Sequence, residues 1–457
     1  MVHTFQCLGV FLAVDVYSGA VHILDETAYD LLNLLDGPLP EGDCPAWVLE
    51  QLSGHGAQAV QGAWEELQAL TRQGLLFTDD SYLDPAAAAL LQKEAPIKAL
   101  CLHVSHDCNL RCEYCFASTG DFGTGKRVTM DVATAKKAID FVIQRSGKRR
   151  NIEVDFFGGE PLMAMDTVKA TVDYARSLEE KYDKSFRFTI TTNGVLLNDE
   201  TIEYINREMS NAVLSLDGRP EVNDAMRKTA ADTGSYEVIL PKFQKLVAGR
   251  GEKDYYLRGT FTRHNRDFAA DVLHIADQGF RHVSVEPVVG SPEQDYTFRE
   301  EDLPGLLQEY ENLAEQLLDR DDVNFFHFHV DLSQGPCVIK RVRGCGAGCE
   351  YVAVTPDGDI YPCHQFVGNE DYRLGNVWDG SFNMDLSHRF ADLNIYSRPD
   401  CQTCWAKFYC SGGCSASNLQ TNGDIKQPNE FGCQLQRKRL ECAIAMQARR
   451  SMAQKAK

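Results

Sequence analysis

Three cysteines, Cys108, Cys112 and Cys115, sit in the stretch HDCNLRCEYCFASTG with the spacing C-x3-C-x2-C. Thiolates this close together in a short loop are soft ligands for iron or zinc. Three of them can hold three irons of a 4Fe–4S cluster and leave the fourth iron open. An open position is what a catalytic metal keeps. The competing reading of the spacing is a zinc site completed by His103 or His106. A second set lies downstream. Cys345 is followed after twelve residues by Gly358 and after four more by Cys363. Then comes CQTCWAKFYCSGGC, where Cys401, Cys404, Cys410 and Cys414 are spaced C-x2-C-x5-C-x3-C, and finally Cys433. Here spacing alone leaves open a pair of zinc ribbons built on C-x2-C.

Other polar residues fall at the ends of apolar runs. DFFGGEPL carries Gly158 and Gly159, where bare backbone can approach a ligand, and Glu160, which can accept from an ammonium group. TITTNGV places Asn193 in a turn, and LSLDG puts Ser215 and Asp217 on one strand face by period two. Arg227 follows, suited to a carboxylate, and Glu286 lies in VSVEPVVG. Each is usually only a turn or a solvated group when it stands alone. In order, at successive strand ends, they describe one polar site beside the three-cysteine loop. Glu286, Tyr351 and Asp357 are each acid–base candidates. His364, beside Cys363, reads equally as a surface or hydrogen-bonded histidine. Cys337 and Cys349 do not match the spacing of a further ligand. Cys7, Cys44 and Cys442 read as inert buried thiols.

The elements that must position these residues follow from the hydrophobic pattern. Strand-length runs KALCLHV, NIEVDFF, FRFTITT, NAVLSLD, YYLRGTF and HVSVEPV alternate with amphipathic stretches of helical period, such as DVATAKKAIDFVIQR. Strand–helix–strand order means parallel pairing through right-handed crossovers, and ligands at the strands' carboxyl ends. Six units are too few to close an eight-stranded barrel. The expected fold is α/β, an open partial (β/α)6 barrel over 91–325. Residues 1–90 read as a winged-helix-like module, strands first and helices after, with a linker and helical piece in DSYLDPAAAALLQKEAPIK. Residues 326–457 read as a cysteine-rich domain held by metal rather than by a large apolar core.

The chain has 457 residues and a formal net charge of −20. That charge opposes nucleic-acid binding, which needs a basic surface. No apolar run reaches the ~18–20 residues of a membrane span. MVHTFQCLGVFLAVDVYSG lacks the regions of a signal peptide, so a cytoplasmic protein is expected. Sixteen cysteines in that compartment do not read as disulfides, because its reducing pool opens them; most lie in two clusters with metal-ligand spacing, Cys108 to Cys115 and Cys337 to Cys433.

With these motifs in place, residues 98–290 resemble the radical S-adenosylmethionine (SAM) enzymes. The resemblance implies that Cys108, Cys112 and Cys115 hold a cluster whose open iron takes the amine and carboxylate of SAM. By carry-over, Gly158, Gly159 and Glu160 lie on the methionyl amine, and Ser215 and Arg227 face the carboxylate. Asn193 and Asp217 contact SAM elsewhere, and Tyr114 sits near the adenine. The downstream cysteines resemble a SPASM domain, which implies two auxiliary clusters and three 4Fe–4S clusters in all. In that family Cys401, Cys404, Cys410 and Cys433 serve one, while Cys345, Cys363 and Cys414 give the nearer one three ligands.

The N-terminal module resembles the peptide-recognition element that adds a leader peptide to a sheet edge. The whole chain resembles the maturases of six-cysteine (SCIFF) peptides, carried by HDCNLRCEYCFASTGDFG and GCGAGCEYVAVTPDGDIYPCHQFVGNE. It implies thioether formation in a small cysteine-rich precursor peptide with a leader. It also implies an electron donor: a reductase, a ferredoxin or a flavodoxin. The alternatives are a sulfatase-type maturase forming formylglycine, a zinc-bearing binding module without catalysis, and a plain electron carrier.

Overall fold

The computed structural model describes residues 1–35, 37–84, 95–291, 293–332 and 342–455. Most of the linker stretch 80–98 and Cys337 lie outside these residues.

The chain begins with a three-stranded antiparallel sheet in the order β1 (Val2–Cys7), β2 (Val10–Asp15), β3 (Val21–Leu24). β2 and β3 fall on FLAVDVYSGAVHILDE, which reads as two strands around a Tyr-Ser-Gly turn; β1 alternates too weakly to stand out. Helices Glu26–Leu34, Ala46–Gln51 and Ala57–Arg72 follow. Asp25 caps the first of them by accepting from the Ala28 N–H. Their apolar faces meet in a separate small core around Leu31, Val48, Val60 and Trp64.

A second sheet runs β12-β11-β10-β8-β7-β6-β4-β13-β14-β15-β16. The six expected strands are β4 (Ala99–Ser105), β6 (Asn151–Gly158), β7 (Ser185–Thr192), β8 (Asn211–Ser215), β10 (Asp254–Phe261) and β11 (His282–Pro287). They pair in chain order, all parallel, with a short β12 (Asn324–Phe325) beyond β11. Their alternating burial puts one face on the helices and the other toward an interior.

The C-terminal region departs from expectation. It is not separate from the large core. β13 (Tyr351–Val354) pairs in parallel with β4, on the edge away from β6, and β14 (Asp359–Tyr361), β15 (Gly375–Asn376) and β16 (Ser381–Phe382) continue the sheet antiparallel. A 26-residue helix, Glu430–Lys455, buries Leu435, Leu440, Ile444 and Met446 in the same apolar cluster as the barrel. It packs on helix Leu303–Leu317 and on β1 and β2. No helix among the described residues is long and apolar enough to cross a membrane.

Candidate active site

Residues 106–120 leave β4 and wrap over the carboxyl ends of the strands. Their course is fixed by backbone contacts to the Gly158–Glu160 turn. The Gly159 N–H donates to Ser105 O at 2.8 Å and the Glu160 N–H to Asp107 O at 2.8 Å. Gly158 has φ +134°, and a Cβ there would lie 2.1 Å from Ser105 O. No side chain fits at this approach.

A second tie holds the loop from the other side. β5 (Leu110–Cys112) pairs antiparallel with β9 (Arg227–Thr229), and Cys112 stands opposite Arg227. This ribbon joins residues 115 apart in sequence, which spacing could not reveal. Arg227 Nη1 donates to Tyr114 Oη at 2.9 Å, and Tyr114 donates to Asp217 Oδ2 at 2.6 Å. Asp217 also accepts from the Thr260 N–H at 3.0 Å. Arg227 Nε is buried without a partner among the described residues.

These elements frame a cavity of ≈ 610 Å³. Cys108, Cys112 and Cys115 line it, as do Gly158, Gly159, Asn193, Ser215 and Arg227. Glu160 and Asp217, also expected at the ligand, stand behind the wall. Glu160 is fully buried, and its oxygens accept from the Leu162 N–H, the Thr192 hydroxyl and the Asn193 N–H. It braces the turn that presents Asn193. β8 ends at Ser215, so strand alternation does not extend to Asp217. Asn193 reaches Asn109 Oδ1 at 2.8 Å and lies 3.7 Å from Cys108 Sγ.

Cys410, Cys414 and Cys433 line the same cavity from the C-terminal side. Cys345, Cys363 and Cys414 form one neighbourhood: burial raises Cys345 and Cys363, and negative charge on Cys414 raises both further. Cys401, Cys404, Cys410 and Cys433 form another. Cys349 is buried and feels Cys345; its Sγ lies 3.4 Å from Gly346 O. Ser411, Gly412 and Gly413 follow Cys410 with φ of 62°, 91° and 72°. This left-handed run points the N–H groups of Gly412 and Gly413 at Cys410. Such nests suit anionic iron–sulfur sites. Ser-Gly-Gly between Cys410 and Cys414 was the readable signal for it.

The donor set fits iron–sulfur clusters. Burial pushes the Cys108 thiol up to about 12 and Cys112 up to about 11, so thiolates here require a cation to hold them. The Leu110 N–H already donates to Cys108 Sγ at 3.4 Å. Among the described residues no three His, Cys, Asp or Glu side chains converge on one ion. His103 and His106, the candidate zinc ligands, bond to each other at 3.1 Å and do not line the cavity.

The acid–base candidates separate cleanly. Glu286 lines the cavity, while Asp357 is exposed in a turn. The Tyr351 hydroxyl lies 3.3 Å from His364 Nδ1. His364 is not a surface residue. Its ring packs against Phe157 at 4.9 Å and Phe116 at 5.3 Å, faces the cavity, and is pushed down to about 3 by burial. Sequence reasoning missed Arg258, Thr260 and Arg439, which also line the cavity.

Asp155, on β6, carries a buried Oδ1 without a partner, and burial raises its pKa from 3.8 to about 7, partly offset by Arg258. A carboxyl raised on folding binds more protons in the folded chain between those values. Stability therefore falls as pH rises through that window, and the full penalty stands above it. Asp155→Asn is expected to raise Tm at about pH 8 and to change it little near pH 4. Thermal melts across that range check it; a gain independent of pH would contradict it.

Comparison with known proteins gives the same two regions. Residues 102–248 match the family model of the radical SAM superfamily, and residues 345–405 match an iron–sulfur cluster-binding domain, SPASM. A cysteine-type anaerobic sulfatase-maturating enzyme of Clostridium novyi is 24% identical over 329 residues, covering 68% of this chain and 85% of that one. The mycofactocin maturase MftC of Mycobacterium ulcerans is 28% identical over 348 residues, 74% of this chain and 87% of its own. Among solved structures, anSMEcpe with bound AdoMet and a Kp18Cys peptide superposes with TM-score 0.63 at 19% identity, over 77% of this chain and 98% of that one. Streptococcus suis SuiB bound to precursor peptide SuiA does so with TM-score 0.52 at 16% identity, over 93% and 97%. At these identities the superpositions speak for the fold.

Proposed function

From the premise that this chain is a radical SAM enzyme carrying a SPASM domain, we propose that it is a peptide maturase that closes thioethers between cysteine sulfur and carbon in a small cysteine-rich precursor. The observation that carries this reading is the single cavity. It is walled on one side by Cys108, Cys112 and Cys115, and on the other by Cys410, Cys414 and Cys433. When bound, SAM on a reduced cluster supplies a hydrogen-atom acceptor, and auxiliary clusters supply an outlet for one electron. Thioether closure needs both, since it removes two protons and two electrons from the peptide, one of each as a hydrogen atom. Cys345, Cys363 and Cys414 would hold the nearer auxiliary cluster, with Cys401, Cys404, Cys410 and Cys433 on the other. Among the similar solved structures, SuiB is bound to precursor peptide SuiA and anSMEcpe to a Kp18Cys peptide, which supports a peptide substrate here.

The protein residues orient and seal. Arg227, with Nε free and Nη1 held by Tyr114, presents a fixed guanidinium to a ligand carboxylate beside Ser215. Bare backbone at Gly158 and Gly159 admits an amine. Phe116, Phe157 and His364 give the cavity an aromatic wall that limits water. The N-terminal sheet, with β3 at its edge, offers a strand for an extended leader. Residues 1–90, 91–325 and 326–457 would then serve as leader-binding, radical and auxiliary-cluster units.

Tyr114→Phe strips a hydroxyl from between two buried charges. Losing such a bond costs about 1–3 kcal/mol, so equilibrium SAM affinity is expected to fall about 10-fold. Unchanged affinity by filter binding would remove the Arg227 assignment. The function itself is tested by incubating reconstituted enzyme, SAM and reductant with the cysteine-rich peptide encoded nearest its gene. The expected product is lighter by two hydrogens per bridge and resists thiol alkylation. An aldehyde that has exchanged sulfur for oxygen would identify formylglycine chemistry instead.

A further inference from the structure

The interior face of the barrel carries charge that none of the chemistry above uses. Arg258 lies on β10 in register with Ser215 on β8 and Ser284 on β11. Its neighbours Leu257 and Gly259 are buried on the outer face, so Arg258 and Thr260 point into the cavity. Among the described residues its guanidinium makes no hydrogen bond or ion pair; it only lies within electrostatic reach of Asp155, Glu286, His327 and His364.

A second guanidinium comes from an unrelated element. Arg439, on the C-terminal helix, is 6% exposed. Its Nε donates to Tyr310 Oη at 2.8 Å, and Nη1 lies 3.5 Å from His327 Nδ1. His327 in turn places Nε2 3.2 Å from the Ser284 hydroxyl and 3.6 Å from Glu286 Oε1. Arg439 is thereby pinned from two sides, while its Nη2 is buried with no partner among the described residues. A guanidinium offers five donors, and leaving them dry and unmet costs free energy. Glu286 can neutralise one of the two cations. Asp155, raised by burial to about 7, offers Arg258 only part of a charge near neutral pH.

Two cations from two elements, spare donors on both, and a shared cavity describe a receptor for an anion with several acceptors. We infer that Arg258 and Arg439, with Glu286 beside them, form a subsite that holds a carboxylate of the peptide substrate and so sets which residue faces the three-cysteine loop. Glu286 accepts a peptide N–H in the same subsite. The carboxylate comes from an acidic side chain near the modified residue or from the peptide's C-terminus. Both present the same flat pair of oxygens to a guanidinium. The subsite rests on the peptide reading and goes beyond it by stating a charge requirement on the substrate.

The test uses full-length reconstituted enzyme with SAM bound, titrated with the cysteine-rich peptide encoded nearest its gene. The peptide is made native, with Asp and Glu outside its leader changed to Asn and Gln, and as a C-terminal carboxamide. The wild type is expected to bind one neutralised form about 10-fold more weakly than the native form. Which form it is names the source. Arg258→Gln and Arg439→Gln are each expected to bind the native form as weakly, and to discriminate less between the forms, while Arg258→Lys restores part of the difference. Equal affinity of the wild type for all forms overturns the subsite and leaves the peptide reading standing. So does a variant that weakens every form in proportion, which would be a packing effect. A weakened SAM affinity with unchanged peptide affinity in Arg258→Gln also overturns it, by assigning the arginine to SAM. A wild type that releases 5′-deoxyadenosine but binds no form overturns the peptide reading and the subsite with it.

Discussion

Gly159→Ala is expected to abolish SAM cleavage. The added Cβ would meet Asp107 O at 2.1 Å, Asp107 C at 2.6 Å and Gly120 Cα at 3.0 Å. All three are backbone atoms, so no side chain can swing aside. The strain must move residues 107–108, and the Cys108 thiolate moves with them. Overpacking costs about 1–3 kcal/mol where a core can yield, and a backbone contact belongs at the upper end. The functional loss is larger. A displacement of ~1 Å at a reacting centre can cost about 10²-fold in rate, and a ligand set that no longer converges does not hold its metal. 5′-Deoxyadenosine release, iron per chain and thermal melts should fall together. Gly305→Ala is the matched control, because its Cβ would meet nothing within 4 Å. A Gly159→Ala enzyme with wild-type nucleoside release would show that the cysteine loop does not depend on this contact.

Much of that site was legible because its logic is local. Six apolar runs separated by helical periods dictate a parallel order, and each polar motif at a run's end lands on one rim. The cysteine spacings were legible for the same reason: ligands in one loop are close in space whatever the fold does elsewhere. What escaped was pairing at long range. The ribbon that sets Cys112 against Arg227 leaves no periodic trace in three-residue strands. Glu160 and Asp217 read as ligand contacts from their places at strand ends and from the family resemblance, yet their partners are backbone N–H groups, a threonine hydroxyl and a tyrosine that no spacing identifies. The metal-binding character of the C-terminal region was legible, and residues 345–405 match an iron–sulfur cluster-binding domain; its packing was not. Its glycines and cysteines gave no sign that β13 extends the barrel sheet or that a long helix of Leu, Ala, Gln and Arg closes over it. Arg258 and Arg439 are invisible to pattern reading. One interrupts an apolar strand and the other lies in a helix already rich in arginine, and only the shared cavity brings them together.

The largest expected effect outside the cavity is at Lys407. This lysine lies between Cys404 and Cys410, yet its Nζ points away to Asp80 Oδ2 at 3.2 Å, with 1% and 8% side-chain exposure on the two partners. It also lies 4.6 Å from the Tyr17 ring centroid and 5.3 Å from that of Phe408. Nearby, His3 stacks on Trp405 at 4.1 Å and bonds Glu441 at 3.0 Å. The N-terminal sheet is thus clamped to the cysteine loop by one dry ion pair and a stack. Among the described residues, Lys407→Met leaves the Asp80 carboxylate with only the Tyr82 N–H and the Tyr396 hydroxyl. Removing one partner of a buried pair costs about 3–5 kcal/mol, while replacing both by apolar or neutral groups is often nearly neutral. The expected order of Tm is therefore wild type, then Asp80→Asn with Lys407→Met close behind, then Lys407→Met alone far below. If the lysine mattered only through iron binding at Cys404 and Cys410, the second change would rescue nothing. Recovery of Tm and iron content in the double variant is what distinguishes a clamp between the two regions from a local prop of the cluster loop, because only the clamp is relieved by discharging a residue far away in sequence.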